Sequence, residues 1–249
     1  PACMGGEARQ EEQAADTLAD TQWLQGVWLD DNTESPVFKI KGDSIYYASQ
    51  INAPLKYDLK NDTLTIYGVE TVHYPLERCQ EQALQFRTPV GDMVSLHKSD
   101  NDSAFVALSV TGPEKKEVIS KDLAVMYQGK RYRGYVYINP TSIKVVRPSL
   151  TEEGLTMDNV YYDNVIHICV YQGKQRLYAK DITRQMFSSV VPDDYLKMSI
   201  LSDMDFIGVD AEGYHYLATL CIPDGASCYN VELTIDRDDQ LSFSSADVE

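Results

Sequence analysis

No stretch of the chain approaches the roughly 20 consecutive apolar residues that a membrane-crossing helix needs, so the 249 residues contain no helical span. G-x-S-x-G, the phosphate-cradling G-x-x-x-x-G-K-[ST] and the metalloprotease H-E-x-x-H are all missing. Their absence removes the serine-hydrolase elbow, the P-loop and the zinc-protease site as starting points. Basic residues are scarce: 22 Lys and Arg stand against 38 Asp and Glu, a net charge of −16. A chain this acidic repels phosphate backbones and anionic membrane surfaces, which argues against nucleic acid as a partner.

The remaining catalytic and metal patterns fail on particular residues. Gly42-Asp43-Ser44 spells the nucleophile block of a lipase family, whose serine needs a histidine on an Asp-x-x-His segment. The residues three before the four histidines are Glu70, Val94, Asn164 and Glu212, so Gly42-Asp43 reads as a turn. "DRDDQLSFSSAD" begins like a calcium loop at Asp236 and Asp238, yet places Leu241 where the sharp turn needs Gly and Asp247 where a bidentate Glu is usual. Cys169 lies two residues from His167 on a strand-like run, with no third group to orient the pair. No second cysteine pair completes a zinc set around Cys221 and Cys228, whose nearest histidine is His215. No short motif recommends paired carboxylates for glycoside hydrolysis. The sequence therefore predicts no cofactor, no metal and no enzymatic activity.

With 43% hydrophobic and 24% charged residues the chain suits a folded core, as one large β domain or two smaller ones. Phe38–Ile45 and Tyr57–Leu64 repeat one hairpin pattern 19 residues apart, alternating large and polar residues around a Lys-(Gly/Asn)-Asp turn. A further hairpin turns at Val90-Gly91-Asp92. Residues 22–112 thus read as an antiparallel meander, either a barrel or a curved sheet. Residues 1–21 read as a flexible tether, and "TGPEKKEV" (111–118) as a boundary. Residues 116–249 read as a β-rich domain, a sandwich or curved sheet, with one helix near 192–202. Pro192 would sit in that helix's first turn and Asp193 and Asp194 at its positive end. Tyr127-Gln128-Gly129-Lys130 and Tyr171-Gln172-Gly173-Lys174 look like two hairpin turns. In "LATLCIPDGASCYNVEL", pairing across Asp224-Gly225 puts Cys221 opposite Cys228, as a disulfide or as two buried thiols.

Charge is uneven: residues 113–184 carry 12 basic against 8 acidic residues (net +4), and residues 185–249 carry 2 against 13 (net −11). Such runs read first as solvated faces. Within the basic segment, "YQGKRYRGYVYINPTSIKVVRPS" interleaves Lys130, Arg131, Arg133, Lys144 and Arg147 with tyrosines. On a strand Arg133, Tyr135 and Tyr137 share one face, a platform for stacking a sugar or clamping an anionic ligand. An ordinary half-exposed strand, in a chain with 17 tyrosines, accounts for the same pattern.

Gly26 and Trp28, followed by the repeated hairpins, resemble the lipocalin-like (calycin) barrels, in which the tryptophan plugs the closed end. The whole chain is similar to uncharacterised lipoproteins of the Bacteroides group that carry a C-terminal domain of unknown function. That resemblance rests on the Cys3 start, "GVW", "KGDSIYY", "KNDTLTIYG" and "YRGYVYI". It implies a mostly β fold and export, and brings no activity. Pro1-Ala2-Cys3 resembles the end of a bacterial lipobox, which would make Cys3 a lipid-attachment site and the membrane a partner through that anchor alone. The sequence thus predicts an exported, membrane-anchored lipoprotein of the bacterial envelope, on the periplasmic side or the cell surface. It would be a binding protein whose N-terminal meander holds a small apolar or saccharide ligand. The alternative is a structural or protein-interaction module with an envelope partner; an enzyme with a dispersed active site ranks below both.

Overall fold

The computed structural model describes residues 22–48, 52–101, 105 and 116–246; the proposed lipid-attachment residue Cys3 lies outside them. The fold is mainly β, and the chain divides into two compact units. One unit takes the described residues up to 110 together with Pro148–Asn159, and the other takes the rest. Residues 111–115 of the boundary expected at 111–118 lie outside the described residues, and no sequence pattern marked the return of Pro148–Asn159 to the first unit.

The first unit is a closed antiparallel barrel of eight strands in sequence order. They are β1 (Gly26–Asp30), β2 (Pro36–Lys41), β3 (Ser44–Tyr47), β4 (Leu55–Lys60), β5 (Thr63–Tyr67), β6 (Thr71–Gln80), β7 (Ala83–Arg87) and β8 (Met93–Lys98). β8 returns to pair with β1, Asp30 opposite Leu96 and Trp28 opposite Lys98. The two repeated patterns are β2–β3 and β4–β5. In the second turn Asn61 and Asp62 take positive φ of 50° and 54°, the mirror-image turn whose twist suits a two-residue hairpin.

Alternation along these strands sends one large residue in two inward. Trp28, Phe38, Ile40, Ile45, Leu64, Ile66, Tyr74, Leu84, Phe86 and Leu96 are each 1% exposed or less, and Leu155 joins the same buried cluster from the returning segment. That segment is tied by Tyr47 Oη donating to the Thr156 carbonyl (2.8 Å) and by the Thr156 N–H donating to Tyr74 Oη (2.7 Å). Side chains fill the inward positions where the sequence reading put a ligand.

Beyond the barrel, two four-stranded sheets pack over one core as a β-sandwich. One sheet has the order β12-β11-β10-β9, from β9 (Ile119–Tyr127), β10 (Lys130–Leu150), β11 (Thr156–Gln172) and β12 (Gln175–Ile182). The other runs β13 (Ile200–Val209), β14 (Tyr214–Cys221), β15 (Cys228–Ile235) and β16 (Leu241–Ser245) in order. Val136, Ile138, Ile166, Ile168 and Val170 of the first meet Met204, Phe206, Tyr216, Leu220, Val231 and Leu233 of the second in one core. Cys221 and Cys228 are directly opposite each other and disulfide-bonded, with Cα atoms 4.1 Å apart.

The expected helix near 192–202 is shorter: α1 spans Asp193–Met198, with Pro192 as its N-cap. Ser199 is extended, and Ile200 and Leu201 are drawn into β13 opposite Cys221 and Leu220. Burial of β-branched and apolar side chains in the sandwich outweighs the helical periodicity there.

Gly134 shows how closely the sheets approach. A Cβ at this position would lie 2.1 Å from the Phe206 ring, so the ring occupies the space a side chain would take. Gly134→Ala is expected to destabilise the sandwich by about 1–3 kcal/mol, the usual cost of overpacking. Urea unfolding checks it; Phe206→Leu in the same chain should recover part of the loss.

Candidate functional site

The strands that supply the site are adjacent in one sheet, and between 131 and 137 of β10 and 167 and 171 of β11 the odd-numbered residues alternate with the core residues Val136, Ile168 and Val170. Arg131, Arg133, Tyr135 and Tyr137 from β10 line one open groove with His167, Cys169 and Tyr171 from β11. Its volume is about 500 Å³, within the roughly 300–1,000 Å³ of small-ligand sites. The three residues singled out in the sequence, Arg133, Tyr135 and Tyr137, are together in it. Tyr132 points the other way, packing beside the core and 6.1 Å from the Tyr214 ring. Arg147 is elsewhere, donating to the Pro223 carbonyl at 2.5 Å.

The β11 wall was not assigned from sequence. Its signals were the His167–Cys169 spacing and the second Tyr-Gln-Gly-Lys echo, which begins at Tyr171. Both echoes are hairpin turns, with Gln128, Gly129 and Gly173 at positive φ, and the adjacency of β10 and β11 brings Tyr135 and Tyr171 to 5.7 Å, edge to face.

The aromatic groups form a ladder. The Arg133 guanidinium lies 5.3 Å over Tyr135, Tyr135 stacks parallel to Tyr137 at 6.2 Å, and Tyr137 lies 6.2 Å from His167. Tyr135 and Tyr137 thus present parallel rings to each other, and Arg133 covers Tyr135.

Charges in the groove are partly committed. Arg133 Nε pairs with Asp122 at 2.6 Å and His167 Nδ1 meets Asp181 at 2.7 Å. The hydrogen bond to Asp122 holds the Arg133 guanidinium above its ordinary pKa. The guanidinium of Arg131 and the hydroxyls of Tyr135, Tyr137 and Tyr171 have no hydrogen-bond partner among the described residues. Burial pushes the Cys169 thiol up, with the charge of Arg176 pulling weakly the other way. An activated cysteine needs the opposite shift.

Among the described residues no group of three or more His, Cys, Asp and Glu is placed to hold a metal ion, and no helix is long and apolar enough to cross a membrane.

A family model described as "Domain of unknown function (DUF4738)" matches residues 98–243. The chain belongs to the DUF4738 family. The match includes every groove residue and all the strands from β9 to β15. No curated protein matches the chain.

A second ionic cluster in this DUF4738 chain is structural. His215 is 8% exposed, with Nε2 2.8 Å from Asp210 and Nδ1 2.9 Å from Glu232. Burial pulls its pKa down, but the hydrogen bonds to Asp210 and Glu232, with their charges, raise it above the ordinary 6.5. The bond from His215 holds Asp210 below its ordinary 3.8. A histidine with a raised folded-state pKa stabilises fully below its unfolded value and loses that contribution as pH rises through the folded one. Asp210 contributes above its unfolded value and loses its contribution as pH falls. The stability difference between the wild type and His215→Gln is therefore expected to be largest between about pH 4 and pH 6.5 and to shrink above it. Urea midpoints measured across pH 4.5 to 9 check this; a difference that grows with pH would contradict it.

Proposed function

We propose that this chain is a non-enzymatic binding protein whose ligand site is the outer face of the β9–β12 sheet. The observation that carries the reading is the groove of about 500 Å³ lined by arginine and tyrosine side chains. The large apolar side chains that make one buried cluster inside the barrel support moving the site there from the position expected at first. The rise of the Cys169 thiol supports a binding role for the groove over a catalytic one.

We further propose export and attachment through Cys3. The Cys221–Cys228 disulfide supports an oxidising compartment. The lipocalin-like likeness supports common architecture for the first unit and lends it no ligand.

The test is native mass spectrometry of the full chain, purified from an exporting, oxidising host without refolding. A bound adduct of defined mass is expected in the wild type and absent from Tyr135→Ser/Tyr137→Ser. An adduct that persists in the double variant would contradict this site. A clean apo mass for the wild type would count against ligand carriage and favour an interaction module.

A further inference from the structure

Four hydrogen-bonding groups line the groove without partners among the described residues: the Arg131 guanidinium and the hydroxyls of Tyr135, Tyr137 and Tyr171. They are concentrated in the one segment whose charge is positive, net +4 over residues 113–184, in a chain of net charge −16. We propose that the groove binds an acidic saccharide, with its oxyanion on Arg131 and its ring hydroxyls on the tyrosine edges. This inference rests on the reading of the groove as a ligand site and adds the ligand's chemical class.

Each part of the arrangement selects against an alternative. A free guanidinium offers a planar fork that accepts a carboxylate or sulfate through two parallel hydrogen bonds. The neighbouring arginine cannot do so equally, because Asp122 already occupies its Nε. Phenol hydroxyls both donate and accept, as a ligand rich in hydroxyls requires. A purely apolar ligand would leave the arginine and the tyrosine hydroxyls without hydrogen bonds, a direct cost to affinity. A flat aromatic anion would seek ring faces, and those of Tyr135 are engaged by Arg133 and Tyr137. An inorganic anion would engage the guanidinium and leave most of the 500 Å³ to water.

Asp122 and Asp181 pair with Arg133 and His167. Arg131 is left as the groove guanidinium without such a partner among the described residues. Arg176, which pairs with Tyr171 across β11 and β12, adds positive potential beside Cys169. Binding should therefore weaken with salt.

The experiment uses the full chain, two-dimensional amide NMR and three probes: trigalacturonate, its uncharged methyl ester and inorganic sulfate. Trigalacturonate is expected to shift the amides of residues 131–137 and 167–171 and to bind at least tenfold more tightly than either control. Arg131→Gln should remove that margin. Tyr137→Phe, which keeps the ring in the ladder, should weaken binding about three- to tenfold, as the loss of one hydrogen bond would. Equal binding of the methyl ester at the same amides would overturn the acidic class and leave the groove standing as a ligand site. Equal binding of sulfate would overturn the saccharide. Shifts confined to other residues, or none with any probe, would overturn the inference; the groove itself is judged separately by the mass-spectrometric test with Tyr135→Ser/Tyr137→Ser.

Discussion

Asp163→Ala is expected to lower the unfolding free energy of the sandwich by about 3–5 kcal/mol, the cost of leaving one member of a buried ion pair alone. Asp163 Oδ2 lies 3.0 Å from Arg184 Nε, with side chains 3% and 11% exposed. The other oxygen, Oδ1, accepts the backbone N–H groups of Leu201 and Asn164, each at 2.9 Å. Arg184 extends the network by donating to the carbonyls of Leu196 and Ser199, at the end of α1. One truncation therefore strands a buried guanidinium and the Leu201 N–H, and loosens the helix that Arg184 caps. Since whole domains are stable by only about 5–15 kcal/mol, the loss is a large share of the total. Denaturant unfolding of Asp163→Ala beside Asp203→Ala separates buried from exposed charge. Asp203 pairs with Lys121 at 2.6 Å but is 41% exposed, and its loss should cost at most about 1 kcal/mol. Similar losses for the two variants would contradict the structural role given to Asp163.

Trp28→Ala should cost the barrel a comparable amount, about 3–5 kcal/mol. The ring is 0% exposed, its Nε1–H donates to the Leu24 carbonyl at 2.9 Å, and Trp23 meets it edge to face at 6.4 Å. Lys98 Nζ lies 5.8 Å from the ring and also donates to the Trp23 carbonyl at 2.6 Å. Removing the indole opens a cavity at the seam where β1 meets β8 and leaves the Leu24 carbonyl without its donor. Trp28→Phe keeps most of the volume and should fall between the alanine variant and the wild type. Urea unfolding monitored by circular dichroism supplies the comparison. A loss below about 1 kcal/mol for the alanine variant would mean that the tryptophan does not anchor the seam of β1 and β8.

Local signals in the sequence account for most of what could be read there. The turns at Gly42-Asp43, Asn61-Asp62 and Asp224-Gly225 each join two strands a few residues apart, so period-two alternation and turn chemistry suffice to place them. The opposition of Cys221 and Cys228 followed from the same hairpin register, whereas their bonding did not. The placement of Leu155 in the barrel core did not, because its partners are scores of residues away and no local pattern encodes them. Asp163 and Arg184 were likewise silent: each looks like a surface charge until the chain folds around both. The groove was half legible. Arg133, Tyr135 and Tyr137 share a face by alternation along β10, whereas His167 and Tyr171 join them only through the pairing of β10 with β11. The occupied ring faces were invisible, since stacking along a strand depends on rotamers that the sequence does not state.

The groove and the barrel interior can be told apart in one spectrum, because both tryptophans, Trp23 and Trp28, belong to the barrel. Amide and indole NMR signals should be compared between protein carrying the adduct found by native mass spectrometry and protein freed of it. Shifts at residues 131–137 and 167–171, with both indole signals unmoved, are expected. Movement of the Trp28 indole with the groove amides unchanged would return the ligand to the barrel and contradict the site proposed on the sheet.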